Sequence, residues 1–319
     1  MTSGLRAALR AATLAAALAG GAVAAPATVD PEATVVDALV VTARLPGPAW
    51  WRVSGPASTV YVLGVPGALP KGAAWDQSVT ERRLKGANEV ILPPTVTAGA
   101  GDTIALIGLL AGLRTQAPME DSLPPALKAR YEAARARLGG DPRAYSHWAP
   151  ALAGLLMVAE WRRKNGLDNA EPAKTVRRLA SSDGVKTIPA GTYKAVPVFK
   201  AVASQVGQAG PPCLSDALDE IEAGDGPVRA AAEGWARGDI RVALSEQRGY
   251  EKCANSIPEG ANLTRLAMRD TTGAIAEALA KPGHSVAVVN LRALLAPGGV
   301  LQQLQARGFK IGRPDESGD

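Results

Sequence analysis

The 319-residue sequence holds only two histidines, two cysteines and two phenylalanines, and aromatic residues make up just 4% of it. Two histidines exclude a histidine-rich metal centre, because imidazole ligands come with partners at defined spacing. His147 stands between Ser146 and Trp148 and reads as a cap or packing residue. His284 follows Pro282-Gly283 and reads as a solvated turn residue. Two cysteines exclude a disulfide-dense scaffold and a thiolate zinc cluster. The charge is nearly balanced, with 35 basic against 30 acidic residues. No basic stripe interleaves with aromatics, so nucleic-acid binding is excluded as a function class. No Gly-x-Ser-x-Gly elbow occurs, which argues against a serine hydrolase of that type. Gly298-Gly299 lacks the Lys-Ser/Thr of a phosphate loop. Beyond the first 24 residues, no apolar run reaches transmembrane length without a charge.

Those first 24 residues have the layout of a secretory signal peptide. Arg6 and Arg10 precede an Ala/Leu-rich run, and Ala22-Val23-Ala24 supplies a small-x-small cleavage pattern. The expected location is therefore the periplasm. An oxidising compartment makes Cys213 and Cys253 a candidate disulfide, with two free thiols as the other reading. Residues 25–47 read as a flexible mature N-terminus carrying Pro26, Pro31 and Pro46. Within it, Asp37, Val40, Val41 and Thr42 belong to a segment that resembles the TonB box of outer-membrane receptors. Such a strand adds to the edge of a partner sheet. The competing reading is a linker, or a terminal strand docked on its own domain.

The rest of the chain alternates strand and helix signals. Trp50 to Val53, Thr59 to Leu63 and Glu89 to Leu92 are rich in β-branched and aromatic residues between turn signals. A helical middle follows. Ile104 to Leu113 is apolar, and Pro125 to Leu138 starts on proline and stops at Gly139-Gly140. In Trp148 to Lys164, Leu152, Leu155, Leu156 and Ala159 recur at helical spacing. A short strand at Val185 to Pro189 and a helix at Val196 to Val206 come next. Further helices are expected at Leu214 to Ile221, Val228 to Trp235, Leu263 to Leu279 and Gly299 to Arg307. The Val286-Ala287-Val288-Val289 run is the best buried strand, and Phe309 to Ile311 closes the chain. Strands at both ends with helices between them argue an α/β fold.

The ordered segments resemble the TraB/GumN family, which includes the Tiki-type metalloproteases. The resemblance covers about residues 48–313, leaving 314–319 as a disordered tail. It rests on Pro48-Ala49-Trp50-Trp51-Arg52-Val53, Thr59 to Gly64, Ala87 to Leu92, Ser146 to Leu156, and Val286 to Val289 with Leu294 to Val300. It implies an α/β fold of that type, with a short central sheet. It also implies, for active members, a divalent metal held between two Gly-x-x-His elements and nearby acids for peptide hydrolysis. Here those places fall on Gly64 and Gly67, on Pro93, at about Gly191, and on Asn290 and Ala293. Glycine, proline and alanine side chains offer no lone pairs to an ion. Of the family's Arg-Asn pair, Arg269 remains and Asp270 replaces the amide. As neighbours on a helix these two should point apart; both read as ordinary ion-pairing residues or as the remnant of a ligand pocket. The expectation is a pseudoenzyme with no cofactor, binding a partner or small ligand. The alternatives are a metal-dependent hydrolase with a rearranged site and an accessory to TonB-linked transport.

Overall fold

The computed structural model describes residues 28–316, apart from 140, 142 and 169. The signal peptide read from the sequence lies outside the described residues, as do residues 317–319 of the expected tail.

The hairpin forms where aromatic and β-branched residues cluster. β1 (Trp50–Ser54) turns at Gly55, whose N–H donates to the Ser58 carbonyl, into β2 (Ser58–Val65). Next come β3 (Leu69–Pro70), β4 (Val90–Leu92), β5 (Thr95–Thr97), β6 (Leu167–Asp168), β7 (Thr187–Pro189), β8 (Thr192–Lys194), β9 (Gly283–Asn290) and β10 (Lys310–Gly312). Six of them make one sheet in the order β10-β1-β2-β9-β4-β7. β1 is antiparallel to both β10 and β2, whereas β2, β9, β4 and β7 run parallel. The remaining strands pair off as β3 with β6 and β5 with β8.

β9 shows why its bare apolar run suits the centre. From Ser285 to Val289 every residue is buried. Central parallel strands are covered on both faces and so read as continuous apolar runs. Helices Pro258–Leu279 and Val300–Ala306 pack together, the longer one against β2 and β9. Ser78–Leu84 and Glu171–Ser182 pack together against β9, β4 and β7. Each buried valine of β9 contributes about 2 kcal/mol through removal from water.

A second, helical lobe centres on Pro150–Lys164 and Val206–Ala223. The latter breaks at Gly210, whose φ of 46° suits glycine, just before Pro211-Pro212. The buried face of Pro150–Lys164 differs from the expected one. It includes Ala151, Gly154, Met157, Val158 and Trp161, while Leu155 and Leu156 are half-buried and Ala159 is exposed. The cause is close helix approach. A Cβ added at Gly154 would lie 3.0 Å from the Leu214 Cα, so Gly154 turns inward while of the expected residues only Leu152 is buried. Cys213 and Cys253 are bonded, joining this lobe to the helix Gly249–Ser256 across 40 residues.

Two further differences concern exposure and order. The apolar helix Asp102–Gly112 forms, yet no residue of it is buried, and Ile104 is 80% exposed. The leading segment, expected to be flexible, lies along the domain. Val36 N donates to Leu295 O, Ala43 N to Gly238 O and Arg44 N to Pro314 O, and Thr42 bridges to Asp239. Asp37–Leu39 is a 3-10 turn rather than an extended strand, with Val40 packed on the main core. Among the described residues, no helix is long and apolar enough to cross a membrane.

Candidate functional site

Because β2, β9, β4 and β7 are parallel, their carboxyl ends share one edge of the sheet, where open α/β sheets place ligands. The places that the family resemblance gives to the metal cluster at these ends, with Gly64 the penultimate residue of β2 and Asn290 the last of β9. Pro66-Gly67 follows β2, Pro93 follows β4, Ala190-Gly191 follows β7, and Leu291-Arg292-Ala293 follows β9.

The protein's own side chains crowd these positions. A Cβ on Gly64 would meet Leu291 at 2.7 Å and Trp51 at 2.8 Å. The Gly64 carbonyl accepts a 2.7 Å bond from the buried Trp235 Nε1. A Cβ on Gly191 would meet the Tyr193 hydroxyl at 3.2 Å and Asp270 at 3.3 Å. The Tyr193 hydroxyl donates to Asp270 Oδ2 at 2.8 Å, and its proton affinity is raised by burial and by that carboxylate. Asn290 caps the helix Leu291–Leu295, its Oδ1 accepting from Arg292 N and Ala293 N.

Gly67 faces charge. Its N–H donates to Glu246 Oε1 at 3.2 Å, and a Cβ there would sit 3.1 Å from Glu251 Oε1. Arg162 grips two carboxylates at once. Its Nε and Nη2 donate to Glu220 at 2.5 and 2.9 Å, and its Nη1 and Nη2 donate to Glu251 at 2.9 Å each. Burial alone would loosen the proton of this guanidinium, but Glu251 and Glu220 outweigh it and hold Arg162 firmly charged. Glu246 has no such clamp. Its side chain is 5% exposed, Arg292 Nε is 4.0 Å from Oε1, and among the described residues Oε2 has no hydrogen-bond partner. Burial, with the Glu251 charge nearby, pushes Glu246 up to about 7. Glu32 is likewise raised to about 7, chiefly by burial, against the pull of Arg248.

The metal expected of the family does not fit this set. Gly67, Pro93, Gly191 and Ala293 bring no donor atoms, while Glu251 is committed to Arg162 and one Glu246 oxygen to the Gly67 amide. Among the described residues, no group of three or more His, Cys, Asp or Glu side chains is arranged to hold a metal ion.

The pattern of the TraB/PrgY/gumN family matches residues 49–313 of the sequence. The chain belongs to that family. No curated protein and no solved structure matches it. The mixed α/β sheet agrees with membership.

Of the residues singled out from sequence, Asp270 reaches this edge beside Gly191 but Arg269 does not. Arg269 is 68% exposed, and contrary to expectation it folds back to 3.4 Å from Asp270 Oδ1, since its long side chain spans neighbouring positions. That exposure leaves the pair little energetic weight. The histidines lie elsewhere. His147 Nδ1 contacts the Thr115 carbonyl at 3.1 Å. His284 is a half-buried residue of β9 rather than a solvated turn, with Nε2 3.0 Å from the Arg83 carbonyl and the Tyr61 ring alongside. The charged residues Glu32, Arg162, Glu220, Glu246, Arg248 and Glu251 were not picked out in the sequence. Arg162 had a signal, being three residues beyond Ala159 on an apolar helix face, and Glu220 falls inside the expected helix Leu214 to Ile221; the others lie in segments without periodicity.

Proposed function

We propose that this protein is an exported, periplasmic pseudoenzyme of its family, with a binding or scaffolding role. The observation that carries the reading is the replacement at Gly67. Where an active relative would aim an imidazole at an ion, this chain has a bare Cα backed by Glu246 and Glu251. Those carboxylates serve the backbone and Arg162, so they hold the loop after β2 in place rather than presenting free lone pairs. The Trp235 bond to Gly64 holds the end of β2 itself, and the Asn290 cap holds the neighbouring end of β9.

Purified full-length protein, analysed for bound metal and assayed for peptide hydrolysis with added manganese or cobalt, tests this. The expected result is no stoichiometric metal and no turnover. Tight metal at one equivalent, or turnover that a chelator abolishes, would return the protein to the hydrolases.

A further inference from the structure

Among the described residues, the ion pairs of Arg248, one of the cations near Gly67, are made with the leading segment. Arg248 is 6% exposed in its side chain, so its guanidinium must be neutralised locally. The carboxylates within ion-pairing distance come from the leading segment. Asp30 Oδ2 is 3.1 Å from Arg248 Nη1, and Glu32 Oε2 is 3.7 Å from Nη2. Even so, among the described residues Arg248 Nε and Nη2 make no hydrogen bond, and neither does Arg292 Nε. These donors belong to a built anion receptor that its present occupant fills incompletely.

The occupant is held as a peptide would be. Asp30 Oδ1 accepts from Asn255 Nδ2 at 2.8 Å and from Glu32 N at 2.9 Å, an Asx turn that presents both carboxylates together. Four residues on, Val36 N donates to the carbonyl of Leu295, in the helix that starts after β9. Glu32 is 7% exposed, and its charge acts on Arg292 as well as on Arg248. The segment thus reaches the same edge of the sheet as Gly67 and Ala293.

We infer that Arg248 and Arg292 form a receptor for a carboxylate-bearing peptide at this edge, and that Asp30-Pro31-Glu32 of the chain itself is the ligand in residence. An acidic segment of a partner protein binds by displacing residues 28–36. The inference rests on the non-catalytic reading of the edge, because it makes that edge a binding site for an extended acidic chain. An internal ligand competes at an effective concentration on the order of millimolar, so the intact protein masks the site.

The test uses full-length protein and a fluorescent peptide spanning residues 28–36. With Asp30→Asn and Glu32→Gln in the protein, labelled peptide should bind at least about tenfold tighter than to wild type, since the internal competitor has lost its charge. Adding Arg248→Gln should abolish the binding, and a peptide carrying Asn and Gln at the two acidic positions should not bind. No binding to the doubly substituted protein, or binding indifferent to Arg248→Gln, overturns the inference. Should that variant fail to fold, hydrogen exchange on wild type decides the matter. Saturating peptide should speed exchange at residues 28–36, and unchanged exchange refutes displacement. Metal content and hydrolysis are read separately, so failure here is distinguishable from failure of the pseudoenzyme reading.

Discussion

Glu246→Gln should stabilise this protein at alkaline pH and leave it unchanged at acid pH. In the folded state Glu246 releases its proton at about 7, against 4.5 for an ordinary glutamate, because the carboxylate is buried and Glu251 stands nearby. Between those values the folded protein binds more protons at this position than the unfolded chain does. Stability from this group is therefore fully present below pH 4.5 and is lost as pH rises through 7. At 1.36 kcal/mol per pKa unit, the loss at pH 8 is about 3 kcal/mol. Glutamine keeps the oxygen that accepts from Gly67 N and never ionises, so it escapes the loss. Its amide would stand where Oε2 already lacks a partner, adding no new unpaired position. Loss of the 4.0 Å contact to Arg292 trims the gain slightly. Urea unfolding at pH 5, 6, 7 and 8 measures the difference. The variant should exceed wild type by under about 1 kcal/mol at pH 5 and by about 2–3 kcal/mol at pH 8. A variant as weak as wild type at pH 8, or weaker, would refute the argument from burial.

Arg162→Met should cost about 3–5 kcal/mol at neutral pH, since it strands Glu220, whose side chain has no exposure, without its guanidinium. Urea unfolding reads this, and a loss under about 1 kcal/mol would mean water already reaches Glu220. Replacing both Cys213 and Cys253 with alanine should cost about 4 kcal/mol by freeing a 40-residue loop in the unfolded chain. The reductant sensitivity of wild-type unfolding should disappear in that variant, and persistence of it would contradict the bond.

What could be read in advance, and what could not, divides along the range of the interactions. Hairpin Trp50 to Val65 and strand β9 declare themselves through local pattern, because strand propensity and burial coincide there. The family resemblance singled out Gly67, Pro93, Gly191 and Ala293 as the metal's places, and the parallel strand order brings them to one sheet edge. The charged surroundings of Gly67 were illegible. They draw Glu32, Arg162, Glu220, Glu246, Arg248, Glu251 and Arg292 from five separated stretches, and burial of a charge leaves no periodic trace. Helices Ser78–Leu84, Glu171–Ser182 and Gly249–Ser256 escaped because each is short or rich in charge. Asp102–Gly112 forms as a helix, as its pattern suggests, but its exposure could not be read in advance. Its hydropathy suggests an interior that the fold does not give it.

The pairing of β1 with β10 brings early and late parts of the chain side by side, and Arg44 N on Pro314 O with Arg313 Nη1 on Ala38 O continues the seam. A short bridge between those two stretches would let the polypeptide be recut at an outlying loop without disturbing the sheet. Equally, a pair of dyes set across that junction would report whenever the leading segment lifts away.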